Sequence, residues 1–310
     1  MISAGIFAFA LTLSGCRNDA TDTGDVLPGP YIYDDDGLPE PSFDAESVSE
    51  AVTATVQTLL TINATPLLQA YHLGMDQSDE GCPTYYDADD LDLWLDDCTA
   101  ESGASFDGYM YHAEYEDYEA SDGVVSDGEA FAGVARITDS DGYTFDASGT
   151  VSELIGVGTN DEDVFQLTVS GSFSWDHPGA ESTWLADGLS PDLSLYAAHY
   201  DSGGLQGNGM YITGGFSGLT GEVTTVYLDE VLIVDELLGT NCEDEPSGTI
   251  SVRDQDGYWY DVMFDGPTFE EFEVDEETCD GCGSAWFRGE YVGDACVDFS
   301  PWLEWDGTPW

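Results

Sequence analysis

Hydrophobic residues recur with two different periods along this chain, and the change between them sets the expected architecture. Between Asp44 and Thr61, Val48, Val52, Val56, Leu59 and Leu60 follow one another at steps of four, four, three and one, which puts them on one helix face. Asp44 is a suitable N-cap, and Ser47 with Glu50 offers a capping box in its place. Pro66 suits the first turn of a second, shorter helix carrying Leu67, Leu68 and Tyr71. His72 follows on that helix as a half-buried structural residue.

Beyond Phe106 the period shortens to two. From Phe165 to Trp175, Phe165, Leu167, Val169, Gly171, Phe173 and Trp175 alternate with Gln166, Thr168, Ser170, Ser172 and Ser174, the mark of a strand buried on one face and wet on the other. Phe131, Gly133, Ala135 and Ile137 alternate in the same way, as do Tyr109, Tyr111, Ala113 and Tyr115. Further strands are expected at Tyr143 to Val151, Leu193 to Tyr200, Met210 to Phe216, Val223 to Val234, Thr249 to Arg253, Tyr258 to Phe264 and Ala285 to Tyr291. Asp-Gly pairs such as those at Asp107, Asp141, Asp256 and Asp265 supply hairpin turns between them.

The pattern predicts a mainly β body: an antiparallel meander of about ten strands, forming a barrel or half-barrel, with a β-sandwich as the alternative. The N-terminal helical segment covers its concave face or mouth. Gly133 and Gly171, on inward faces, fit strong curvature. Between Cys82 and Cys98 an Asp-dense stretch, with Leu91, Leu93, Trp94 and Leu95 as its apolar cluster, reads as a loop that a disulfide would staple. One hairpin design recurs, since Asp139-Ser140-Asp141-Gly142-Tyr143 matches Asp254-Gln255-Asp256-Gly257-Tyr258.

The start of the chain carries a different signal. Ile2 to Leu13 is an apolar run too short to span a bilayer, which takes ~20 residues, and it has the length of a signal-peptide core. It ends in Leu13-Ser14-Gly15-Cys16, which resembles the lipobox of bacterial lipoproteins. The resemblance implies acylation of Cys16 and cleavage before it; two or more acyl chains suffice for stable attachment. In that family Asp after the Cys favours inner-membrane retention, and here the residue is Arg17, so an outer-membrane or cell-surface location is expected. Pro28, Pro30, Pro39 and Pro41 break the acidic stretch that follows, a tether of roughly 25 residues reaching on the order of 30 Å. The domain reading is a signal peptide over 1–15, the lipidated Cys and tether over 16–43, a helical segment with its stapled loop over 44–105, and the β body over 106–310, the last two as one domain. Beyond the lipobox, the Cys82 to Cys98 stretch and Cys279-Asp280-Gly281-Cys282 make the body similar to acidic bacterial lipoproteins of no assigned activity.

Charge narrows the partners. Sixty-four Asp and Glu face four Arg (Arg17, Arg136, Arg253, Arg288) and no Lys, a formal net charge of -60. Such a surface has no clustered cations to displace counterions, which excludes nucleic acid and disfavours anionic lipid head groups. A composition 42% hydrophobic and 13% aromatic still provides for a core, so the chain is not a disordered acidic tail. Evenly spread acids point to a solvated surface suited to a saline exterior.

The six cysteines besides Cys16 are Cys82, Cys98, Cys242, Cys279, Cys282 and Cys296. An even count in an exported chain argues for disulfides, with Cys82 pairing Cys98 and three connectivities open to the other four. A four-thiolate zinc site and a redox-active Cys279/Cys282 pair are the competing readings. Calcium is the one cofactor that composition suggests, at Asp139 and Asp141 and at Asp254 and Asp256, although neither hairpin completes an EF-hand loop.

His72, His112, His177 and His199 show no metal-ligand spacing and read as structural. The run Gly215-Phe216-Ser217-Gly218-Leu219 falls short of a nucleophile elbow, and no H-E-x-x-H helix, P-loop or dinucleotide fingerprint occurs. With so many acids, a carboxylate pair at glycosidase spacing has no diagnostic value. The expectation is therefore a non-enzymatic surface lipoprotein acting in binding, adhesion or envelope structure, with a protein, glycan or lipid partner. A carrier of lipophilic ligand in a barrel cavity and an extracellular hydrolase are the alternatives.

Self-repulsion at this charge makes the fold salt-dependent. Raising salt from about 0.1 M to about 1 M cuts the Debye length from ~10 Å to ~3 Å and should raise the melting temperature in thermal melts. A flat or falling melting temperature would contradict this reading of the surface.

Overall fold

The computed structural model describes residues 40–88, 91–120, 124–158, 162–202, 205–219, 221–235, 240–269, 271, 273–274 and 279–304. Cys16 and the tether up to residue 39 lie outside the described residues. Helix α1 (Ala45–Leu59) begins at Asp44, whose Oδ1 accepts the Ser47 backbone N–H at 3.0 Å and the Ser47 hydroxyl at 2.9 Å. Asp44, and not the capping box, therefore closes the N-terminus. Val48, Val52, Val56 and Leu59 are buried as the period requires, with Ala51 and Thr55 widening the stripe. Helix α2 (Thr65–Met75) has Pro66 in its first turn and buries Leu67, Ala70 and Tyr71.

Among the described residues, thirteen strands then form one antiparallel sheet in unbroken chain order. They are β1 (Tyr85–Ala88), β2 (Leu91–Thr99), β3 (Ser105–Glu119), β4 (Val125–Thr138), β5 (Thr144–Val157), β6 (Asp163–Trp175) and β7 (Ser190–Ser202), followed by β8 (Leu205–Ser217), β9 (Val223–Val234), β10 (Ser247–Asp254), β11 (Trp259–Asp265), β12 (Cys282–Phe287) and β13 (Glu290–Cys296). A short helix, α3 (Ser300–Leu303), follows β13. Among the described residues β1 and β13 do not pair, so the meander is an open half-barrel and not a closed barrel.

The sheet is far wider than α1 is long, and α1, α2 and α3 share its apolar face. Laid flat, strands ~4.8 Å apart would make it about 58 Å wide, whereas α1 at 1.5 Å per residue is only about 22 Å long. Yet Trp94 of β2, Leu193 of β7 and Ala295 of β13 belong to one apolar cluster with Val52, Leu67 and Trp302. α1 lies on β10 and β13, α2 on β4 to β6, and α3 on β8 and β9. Trp302 donates its indole N–H to the Val56 carbonyl at 3.1 Å, and Trp184 donates to the Asn63 carbonyl at 2.8 Å, locking the helices in place.

Gly133, Gly149 and Gly171 stand in register across β4, β5 and β6. A Cβ added at any of them would sit between 2.1 and 2.3 Å from a carbonyl oxygen of a neighbouring strand, so glycine is required at this crease.

Three expectations need correction. Tyr109 and Tyr111 do not face the core: they are 39% and 40% exposed, while Phe106, Met110 and His112 on the opposite parity are buried. Tyrosine's polar tip tolerates water, and the outer face of β3 takes the aromatic residues. The stretch between Cys82 and Cys98 is not a loop but the β1–β2 hairpin, with Trp94 fully buried. Asp87 lies on β1, the edge strand, where charge discourages pairing with other chains. Ala285 to Tyr291 is not one strand, because Arg288 (φ 49°) and Gly289 (φ 82°) turn the chain between β12 and β13.

All six cysteines after Cys16 are bridged: Cys82 to Cys98, Cys242 to Cys279 and Cys282 to Cys296. The last pair sits directly opposite in β12 and β13. Bridging uses up the thiolates that a four-cysteine zinc site would need, so that reading fails, and with it the free dithiol at Cys279 and Cys282.

The corrected facing of β3 is directly testable. In urea melts Met110→Ala should cost about 2–5 kcal/mol, whereas Tyr111→Ala should stay within about 1 kcal/mol. Equal losses would contradict the orientation described.

Candidate functional site

The inner face of the sheet is apolar almost throughout, which makes its polar exceptions informative. On β3 the inward parity carries Phe106, Met110 and then His112, which is 7% exposed. On β4 the inward parity runs Ile137, Ala135, Phe131 and then Glu129. His112 is paired with Phe131, so Glu129 lies diagonally beside it, two residues along β4. α2 covers this corner. Tyr71 packs its ring on His112 and Phe131, with centroids 4.9 and 5.6 Å away, and this seats the next residue, His72, over Glu129.

Both imidazoles converge on one carboxylate oxygen. Nε2 of His72 is 2.7 Å and Nε2 of His112 2.5 Å from Oε1 of Glu129. The two rings are perpendicular, at 89°, with centroids 5.7 Å apart. Side-chain exposure falls from 45% at His72 through 19% at Glu129 to 9% at His112, so the cluster opens to solvent on the helix side. Burial pushes the Glu129 carboxyl up, but the hydrogen bonds from His112 and His72, and their charge when protonated, outweigh it and hold the group below the usual glutamate range. The carboxylate form is favoured.

Glu153 on β5 stands opposite Glu129 in the ladder. Burial raises its carboxyl, the Ala64 backbone N–H it accepts at 3.2 Å lowers it, and the Glu129 charge adds to the rise; the net effect is upward. Among the described residues, this is the place where three potential metal-ligand atoms from His, Cys, Asp or Glu converge, all within 4.8 Å of one another.

The other sequence-predicted residues have structural work. Oδ1 of Asp139 accepts the N–H groups of Asp141 and Tyr143, both at 2.9 Å. The repeated segment folds alike: Asp139 N–H donates to Tyr143 O and Gly142 N–H to Asp139 O, as Asp254 N–H does to Tyr258 O and Gly257 N–H to Asp254 O. Asp254 is buried, accepts Tyr258 N–H at 2.8 Å, and takes the Ser42 hydroxyl at 2.5 Å on its other oxygen. Asp141 and Asp256 are exposed. The turn accounts for Asp139 and Asp254 without an ion, and neither hairpin gathers three ligand atoms among the described residues.

His177 accepts Gly179 N–H at 2.9 Å and stacks on Trp175, while His199 is buried against Asn208. Each thus has a hydrogen-bond partner within the fold. His72 and His112 are the pair whose meeting was missed; the signal lay in strand parity and not in spacing.

Among the described residues, the buried side chains of sheet and helices join in one apolar cluster. A solvent-open cleft of about 910 Å³ lies between α1 and the ends of β7 to β9, lined by Phe43, Ala54, Leu189 and Leu219 together with Glu50 and Glu222. The chain matches no protein-family model, no curated protein and no solved structure with which it was compared, so the reading of the site rests on its own geometry.

The turn assignment predicts an asymmetry within the repeated motif. Asp254→Ala strands a backbone donor and the Ser42 hydroxyl and should cost about 1–3 kcal/mol in denaturant melts; Asp256→Ala should stay within about 0.5 kcal/mol. Equal losses at both positions, abolished by a chelator, would instead identify a structural calcium ion.

Proposed function

We propose that this chain is an exported, lipid-anchored binding protein, held at the outer membrane or cell surface through acyl chains on Cys16, with its ligand taken up outside the half-barrel. The observation that carries the reading is the pairing of Cys82, Cys98, Cys242, Cys279, Cys282 and Cys296 into three disulfides. Disulfides persist in oxidising compartments and are rare in the cytosol, which agrees with a lipobox at the start of the chain. Among the described residues no helix is long and apolar enough to cross a membrane. Attachment by acyl chains at Cys16 needs none.

The packed concave face favours binding at the surface over carriage of a lipophilic ligand, which would need a continuous apolar cavity of several hundred Å³. Protein and glycan partners suit the cleft beside α1, whose lining mixes small apolar side chains with acids.

Replacing Cys16 with Ser should move the protein from the membrane fraction to the soluble fraction of the exported material and abolish incorporation of labelled palmitate. Unchanged membrane association, or palmitate in the C16S protein, would overturn the anchoring.

A further inference from the structure

We propose that His72, His112 and Glu129 form a site for a zinc-class divalent cation, which would clamp α2 to strands β3 and β4 and keep a coordination position open to solvent. Two imidazole nitrogens and one carboxylate oxygen make a borderline donor set, suited to zinc and its transition-metal neighbours and poor for calcium or magnesium, which seek several oxygens. The three groups come from three different elements and converge at one point, with Nε2 atoms 2.7 and 2.5 Å from the same Glu129 oxygen. In a tetrahedral zinc site with bonds of ~2.0–2.1 Å, ligand atoms sit about 3.3 Å apart. To admit the ion the Glu129 oxygen and the two imidazole nitrogens must move apart by somewhat less than ~1 Å. Side-chain rotation of Glu129, which is shared by both contacts, together with the more exposed His72, supplies that movement.

The two rings are perpendicular, so the imidazoles meet the Glu129 oxygen in different planes. Tyr71 backs His112 and fixes its orientation from beneath. Metal binding at Nε2 leaves the ring proton on Nδ1, so each histidine coordinates as a neutral imidazole while Glu129 supplies the negative charge. Three protein ligands leave a fourth position, which on the exposed side of His72 falls to water or to a donor atom of an incoming partner. The remaining charge of the chain concentrates divalent cations near its surface without selecting among them. Selectivity for zinc over calcium is therefore the property that distinguishes a built site from a generally acidic surface.

The test is zinc titration of the full chain, stripped with chelator and held in about 1 M salt, where the Debye length is ~3 Å, with calcium in large excess. A single equivalent of zinc should bind in spite of the calcium. His72→Ala sits at an exposed position where folding is not at stake, and it should weaken zinc at least about ten-fold, no less than loss of a mere outer-shell partner. Glu129→Gln should do the same. Cobalt substitution should give the visible absorption of a four-coordinate ion, lost in H72A and kept in H177A. Zinc affinity unchanged in H72A, or zinc displaced by calcium at similar concentration, would overturn the site.

Discussion

Everything in this molecule is arranged around the burial of one helix face. Val48, Val52, Val56 and Leu59 of α1 are almost fully removed from water, and each such side chain contributes roughly 1.5–3 kcal/mol when buried. They pack over β10 and β13, while α2 packs over β4 to β6, where the strands approach too closely at Gly133, Gly149 and Gly171 for any side chain. That seat of α2 sets His72 over Glu129. The site is thus a consequence of how the core closes.

The surface works under the opposite constraint. A net charge of -60 pushes the chain apart, and three covalent bridges oppose that push where the sheet is weakest. Cys82 to Cys98 holds the short, acidic β1–β2 edge, and the other two bridges hold the C-terminal strands β12 and β13 with the segment leading into them. Buried Glu245 helps in the same region, accepting the N–H groups of Asp265 at 2.9 Å and Asp280 at 3.3 Å. At the point where the chain enters the body, the Ser42 backbone N–H donates to the Tyr260 hydroxyl at 2.7 Å and the Ser42 side chain to Asp254. One reused hairpin therefore fixes both a turn and the place where any tether meets the fold.

Much of this was legible from residue order. The helix from Asp44, the Pro66 helix, the inward faces of β4 and β6 and the Cys82 to Cys98 bridge all follow from period, caps and counting, because each depends on neighbours in sequence. The facing of β3 did not, because Tyr109 and Tyr111 look apolar in a two-residue alternation yet keep their hydroxyls in water. With that inversion the parity that puts His112 on the inner face, beside Glu129, is not apparent from the sequence. The β1–β2 hairpin was hidden for a related reason: its acids read as loop, and only the wrapped sheet gives Trp94 a core to enter. Contacts between residues 72, 112 and 129 depend on the curl of the whole sheet, which no local pattern encodes.

The central claim is that α1, which covers β10 and β13, is an integral part of the core. Native-state hydrogen exchange measures this most directly, since it reports the free energy of opening each element. If α1 is integral, its amides from Val52 to Leu59 exchange only through global unfolding, with the same opening free energy as those of β6 and β8. If α1 amides exchange through a much cheaper local opening while β6 and β8 stay protected, the helix is a detachable lid over a cavity, and its place in the core is contradicted.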